Sequence, residues 1–233
     1  MNGNLVIYQP IKGYRAATDP VLLAAACPAI EGQHILELGC GVGTASFCLY
    51  HRVKVNLTGI EIQKEYGYLA IKNGLANKIP LKIEICDLLK LPKEIRNKSF
   101  DHLIMNPPYY KRGTPSIDKG KNKSMRIYNP LSNWIGEGLK RLKPRGWLTI
   151  INKTENLSEI LISLDKKAGD IQIKPLTSGT DESADRVIVR ARKDSKSPTK
   201  LYPPLIIHNS NGKSKTYSNL AENIFRYGSP LTF

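Results

Sequence analysis

The 233-residue sequence predicts a single α/β domain, doubly wound about a mostly parallel sheet. Three observations predict it. Short apolar runs alternate with helical stripes from about residue 33 to residue 191. The first run ends in a glycine-rich turn that opens a helix, and the second and third runs each end in an acidic residue. Such alternation marks crossover units whose helices cover both faces of a parallel sheet. Ligands of these sheets bind beyond the carboxyl ends of the strands. Function is therefore sought in the residues directly after each strand.

The elements follow in order. Residues 5–14 suit a small hairpin. Asp19 as cap, Pro20 in the first turn and Pro28 as stop bound a helix. Strand 33–38 leads into helix 44–51, strand 55–60 into helix 64–77, and strands 81–85 and 100–105 follow. Leu131, Trp134, Ile135, Gly138, Leu139 and Leu142 recur at helical spacing and predict an amphipathic helix. Strand 147–151 comes next, then a helical stripe of Leu157, Ile160, Leu161, Leu164 and Ala168, then strands 171–176 and 187–191. The domain thus divides into a hairpin and helix (1–30), a core (31–193) and a C-terminal extension (194–233) with a strand at 205–208 and a helix at 220–227.

Bulk properties narrow the function. No apolar run approaches the roughly 20 residues of a membrane span. Met1-Asn2-Gly3-Asn4 lacks the basic start of a signal peptide, so a cytoplasmic location is expected. Cys27, Cys40, Cys48 and Cys86 include no CxxC pair, and no histidines sit at ligand spacing, so no metal is expected. Lys and Arg number 35 against 20 Asp and Glu, and the resulting charge of +15 favours a polyanionic partner such as nucleic acid.

The first strand runs into Glu37-Leu38-Gly39-Cys40-Gly41-Val42-Gly43-Thr44. Such a turn lets a ligand approach the backbone and the amides of the next helix. Alone it fits a dinucleotide site, a methyl-donor site or a tight connection. The dinucleotide fingerprint wants its third glycine where Thr44 stands. Glu37, two residues before the first glycine, would repel a pyrophosphate but suits the amino-acid end of a cationic sulfonium. Glu61 ends the second strand, where an acid accepts from ribose hydroxyls. Asp87 ends the third, placed for an adenine amine with Leu88 against the ring, although an Asp there also serves as a helix cap.

The fourth strand ends in Asn106-Pro107-Pro108-Tyr109. The prolines fix the backbone and remove two donors. The Asn106 side-chain carbonyl and the Pro107 main-chain carbonyl can together accept from a planar NH₂ group, and Tyr109 offers a face for stacking. A simple proline turn is the bland alternative. Such a site needs neither metal nor covalent intermediate, only an amine held near the methyl group. His102 lies inside the strand and reads as a packed histidine. Beyond Tyr109, Tyr110, Lys111, Arg112, Lys119, Lys121, Lys123 and Arg126 are candidate contacts to nucleic acid.

These residues resemble a known family. The glycine turn with Asn106 to Tyr109 looks like the class I amino-methyltransferases, which use S-adenosyl-L-methionine. The segment 13–23, Pro130-Leu131, the Trp134 helix and the arginine-rich segment 186–192 are similar to the bacterial tRNA1(Val) adenine-N6 methyltransferases. The resemblance implies a Rossmann-like, seven-stranded sheet with its last strand antiparallel, and methylation of the N6 amine of an adenine beside the valine tRNA anticodon. It also implies that Arg15, Thr18, Glu37, Gly39, Cys40, Gly41, Gly43, Glu61, Ile62, Asp87, Leu88 and Asn106 meet the cofactor, and that Asn106, Pro107, Pro108 and Tyr109 are catalytic. The C-terminal part departs from the better-known enterobacterial form. Two other functions use the same fold: methylation of a protein glutamine, which usually requires an additional N-terminal domain, and RNA binding without catalysis. A dehydrogenase fits less well, given the glycine spacing and Glu37.

Overall fold

The computed structural model describes residues 1–13, 15–109, 129–209 and 216–233. Among the described residues nine strands form one sheet: β1 (His34–Leu38), β2 (Asn56–Glu61), β3 (Leu81–Ile85), β4 (Phe100–Met105), β5 (Leu142–Lys153), β6 (Ala168–Thr177), β7 (Arg186–Lys193), β8 (Lys200–Leu201) and β9 (Leu205–Ile206). Their order is β3-β2-β1-β4-β5-β7-β6-β8, with β9 also on β6. β7 runs antiparallel to β5 and β6, and every other pairing is parallel. The seven anticipated strands are all present, and two short ones from the C-terminal extension lengthen the β6 edge.

Helices cover both faces: α1 (Asp19–Ala26), α2 (Thr44–Arg52), α3 (Lys64–Asn77), α4 (Lys93–Arg96), α5 (Leu131–Arg141), α6 (Leu157–Leu164) and α7 (Asn219–Glu222). Strand side chains alternate between faces, so Ile35 joins one core while Leu36 and Leu38 join the other. The first core packs Leu22, Leu23, Phe47 and Leu49 on Ile104 and Ile188. The second packs Trp134, Ile135, Leu139 and Ile160 on Leu103 and Val189. Burial on both faces explains why β1 and β4 carry adjacent apolar residues, Ile35-Leu36 and Leu103-Ile104-Met105, rather than a strict apolar–polar alternation.

Several local expectations change. Among the described residues of 5–14 there is no strand, so the hairpin is not formed. The segment is extended instead, and two asparagines of α3 replace the missing partner strand. Asn77 accepts from Val6 N at 2.9 Å and donates to Val6 O at 2.7 Å, and Asn73 does the same for Tyr8 at 2.7 and 3.1 Å. Thr18, not Asp19, holds the cap position of α1, without a side-chain cap bond. Ala168 belongs to β6 rather than the preceding helix, because Lys166 turns the chain at φ 58°. The last helix is one α turn followed by a π-helical turn, Asn223–Tyr227.

Candidate active site

Strand register decides which loops meet. Leu38 pairs with Ile60 on one side and with Met105 on the other. The next residues along, Gly39, Glu61 and Asn106, therefore share one rim. Glu61 pairs with Ile85, which brings Asp87 to the same end of the sheet.

The glycine loop is shaped by what a side chain would collide with. Gly39 has φ 67°, and a Cβ there would sit 2.7 Å from the Trp134 ring. Both its backbone and its packing exclude larger residues. Gly41 has φ 55°, yet a Cβ there would meet nothing within 4 Å, so the outer face of the loop is open. Gly43, at φ 85°, caps α2.

Two buried carboxylates support this loop. Glu61 accepts from Gly41 N and Gln63 N, each at 2.8 Å. Burial raises its pKa, while these backbone bonds work the other way. A carboxylate has about four acceptor positions, so Glu61 retains capacity for a ligand hydroxyl. Glu37, expected in the mouth of the loop, is 4% exposed. It accepts from the amide of Ser46 at 3.1 Å and from the Ser46 hydroxyl. Burial pushes its pKa up to about 8 despite the Ser46 bonds.

Around the rim, Asp87 is partly exposed and accepts from Leu89 N at 2.9 Å, so it caps a short 3₁₀ turn as well as facing the site end. Leu88 packs into the core, and Leu89 presents the exposed apolar surface instead. Ile62 is exposed beside Glu61, whereas Cys40 is buried behind Gly59. Arg15 and Thr18 are exposed just before α1. Tyr110, Lys111, Arg112, Lys119, Lys121, Lys123 and Arg126 lie outside the described residues.

The Asn106 corner holds two residues, Asp19 and Arg186, to which sequence reasoning gave no role of their own in the site, although the family resemblance lays the segment 15–19 over the cofactor. The Tyr109 hydroxyl lies 2.8 Å from Asn106 Oδ1 and 2.7 Å from Asp19 Oδ2. Arg186 Nε donates to the same Asp19 oxygen at 3.2 Å, and its guanidinium stands 5.1 Å from the centre of the Tyr109 ring. Partial burial works against the Arg186 charge, but Asp19 and Asp185 more than offset it and raise its pKa. By local pattern Asp19 reads as a helix cap, and Arg186 stands just before the strand at 187–191. Only their place within family-like segments hinted at more.

His102 is a packed residue, as read. It is 2% exposed, its Nε2 is 2.7 Å from Gln33 Oε1, and burial holds its pKa near 4. A cavity of about 240 Å³ beside it, lined by Gln33, Lys143 and Trp147 among others, lies at the opposite end of the strands. Among the described residues there is no cluster of metal-ligating side chains, and no helix is long and apolar enough to cross a membrane.

A glycine turn after β1, acids after β2 and β3, and Asn-Pro-Pro-Tyr after β4, on a sheet whose β7 is antiparallel, define a Rossmann-like class I methyltransferase fold. The open Gly41 face and the lone pairs of Glu61 suit the nucleoside of a methyl donor. Residues 17–174 match the methyltransferase small domain, and the chain belongs to that family.

Two relatives are named tRNA1(Val) (adenine(37)-N6)-methyltransferase. That of Shewanella halifaxensis is 31% identical over 63% of this chain and 61% of its own length. That of Shewanella woodyi is 24% identical over 72% and 71%. The match thus spans about three fifths of the length of the first. A crystal structure of a predicted O-methyltransferase from Agrobacterium tumefaciens superposes with a TM-score of 0.76 at 21% identity, over 91% of this chain and 98% of that one, and shares the fold.

Proposed function

We propose that this protein transfers a methyl group from S-adenosyl-L-methionine to the exocyclic N6 amine of an adenine in tRNA. The observation that carries the reading is the register that sets Asn106 beside the glycine loop, with Leu38 and Met105 paired just before them. This arrangement brings an amine acceptor and a donor cradle to one rim. The relatives' names support adenine 37 of a valine tRNA as the target. The charge of +15 supports an RNA partner, with Tyr110 and the basic residues after it as its contacts.

The division of labour follows from the chemistry. S-adenosylmethionine, when bound, supplies a methyl group already activated on a sulfonium. Glu61 would accept from the donor's ribose, and Asp87 from its adenine amine. Asn106 Oδ1 and the Pro107 carbonyl accept the two N–H bonds of the target amine, which turns its lone pair towards the methyl. Tyr109 stacks on the base, which an anticodon loop presents already exposed. Positioning and attack geometry supply most of the acceleration. The amine nitrogen would bond to the methyl carbon as the carbon–sulfur bond breaks, the electron pair staying on sulfur as a neutral thioether, and the amine's surplus proton would then pass to water.

The test is transfer of labelled methyl from S-adenosylmethionine to bulk tRNA, with loss of transfer in Asn106→Ala. Absence of transfer to any RNA across salt concentrations overturns the reading.

A further inference from the structure

The Tyr109 hydroxyl carries one proton and stands between two acceptors, Asp19 Oδ2 at 2.7 Å and Asn106 Oδ1 at 2.8 Å. It can donate to only one of them at a time. Asn106 Oδ1 is the oxygen that must receive the target amine. A phenol that donates there competes with the substrate for the same acceptor. A carboxylate is the stronger acceptor, because charge-assisted hydrogen bonds exceed neutral ones. Arg186 fixes that carboxylate by donating to the same oxygen at 3.2 Å, and its guanidinium lies over the Tyr109 ring at 5.1 Å.

We propose that Asp19, held by Arg186, is a positioning residue that keeps the Tyr109 proton off Asn106, so that Asn106 Oδ1 can receive the target amine. The idea rests on the reading of Asn106 as the amine acceptor, and assigns a role to α1 and β7 in the transfer step. With the phenol donating to the Asp19 carboxylate, Asn106 Oδ1 receives the amine N–H on substrate entry without competition from that proton. The ring stays in place through its contacts with Arg186, so stacking and hydrogen bonding are not traded against each other. Without Asp19, Asn106 is the one of these two acceptors left to the phenol.

A double-mutant cycle tests this, because coupled residues give non-additive effects. Asp19→Ala should lower kcat on tRNA about tenfold, with the donor Kd from calorimetry within about twofold of the wild type. In a Tyr109→Phe background, which keeps the ring and removes the hydroxyl, the same substitution should change kcat less than about twofold. An equal loss in both backgrounds overturns the proposal. Asp19→Asn keeps an oxygen at the position that receives both Arg186 and the phenol but loses the charge, so its kcat should fall between those of the alanine variant and the wild type. Asparagine and alanine variants that are equally impaired would also overturn it.

A second readout does not depend on the substrate. The side-chain amide ¹⁵N resonance of Asn106 should move in Asp19→Ala relative to wild type, and should not move when both chains carry Tyr109→Phe. Absence of that contrast overturns the proposal even if wild-type protein methylates no RNA, a result that would instead count against the reading of function.

Discussion

The donor rim and the acceptor corner of this site are built in opposite ways. On the donor side each carboxylate reaches a group close in sequence: Glu37 bonds Ser46 nine positions on, and Glu61 bonds Gly41 twenty positions back. On the acceptor side the partners are distant. Tyr109 and Asp19 are 90 positions apart, and Arg186 and Asp19 are 167 apart. The donor rim is therefore a property of consecutive β-α units, and its parts persist while those units do. The acceptor corner exists only when α1, the end of β4 and the start of β7 have all docked. Substitutions should accordingly strike the two halves through different observables: donor affinity and stability on one side, turnover on the other.

The largest expected effect is at the centre of the acceptor corner. Asn106→Ala removes the carbonyl that orients the amine, and should lower kcat on the order of 10²- to 10³-fold, as loss of one preorganised partner does elsewhere. Donor affinity should remain within a few-fold by calorimetry. A parallel collapse of donor binding would show that the two halves are not separable.

The second test strikes the donor rim. Gly39→Ala places a Cβ against Trp134 at 2.7 Å and at φ 67°. Strain and overpacking together should cost about 2–4 kcal/mol of stability, read as a lowered urea midpoint. Donor binding should weaken with it. If the midpoint holds, the loop is softer than its packing implies.

The same contrast explains what the sequence made legible. The glycine turn, Glu61 and Asp87 announce themselves because strand, turn and helix are consecutive and their spacing is the signal. Asn106 to Tyr109 stands out for the same reason. Asp19 does not, because its local pattern, Thr-Asp-Pro before an apolar run, equally describes a helix start. Only contact with Tyr109 and Arg186 gives it another task. The expected hairpin failed on similar grounds: Val6 and Tyr8 have strand-like alternation, but the groups that satisfy their backbones are Asn73 and Asn77 on a distant helix. Leu88 was read as facing a ring, and a one-residue offset in the 3₁₀ turn gives the exposed position to Leu89.

A smaller effect is expected at Glu61, where only part of the machinery is removed. Glu61→Gln keeps the side-chain shape and one acceptor oxygen, but loses the charge that strengthens bonds to ribose hydroxyls. Donor affinity should fall about tenfold, with kcat at saturating donor nearly unchanged. A fall in kcat at saturation would place Glu61 in the transfer step and blur the division between the two halves.

The subtlest test concerns Glu37, which is buried and bonded to Ser46 at the start of α2. Its pKa in the folded chain is lifted to about 8 by burial, from 4.5 for an ordinary glutamate. Between those values the folded state keeps a proton that the unfolded chain has released. The folded state binds more protons there, so stability declines as pH rises from about 4.5 and levels off above about 8. Glutamine mimics the protonated acid and can still accept from Ser46, but does not titrate. Glu37→Gln should match the wild type near pH 4.5 and grow relatively more stable through this window, with urea midpoints recorded at each pH as the measure. Parallel profiles for the two proteins would mean that Glu37 is solvated enough to ionise freely. The donor loop would then rest on a charge rather than on a neutral hydrogen bond to Ser46.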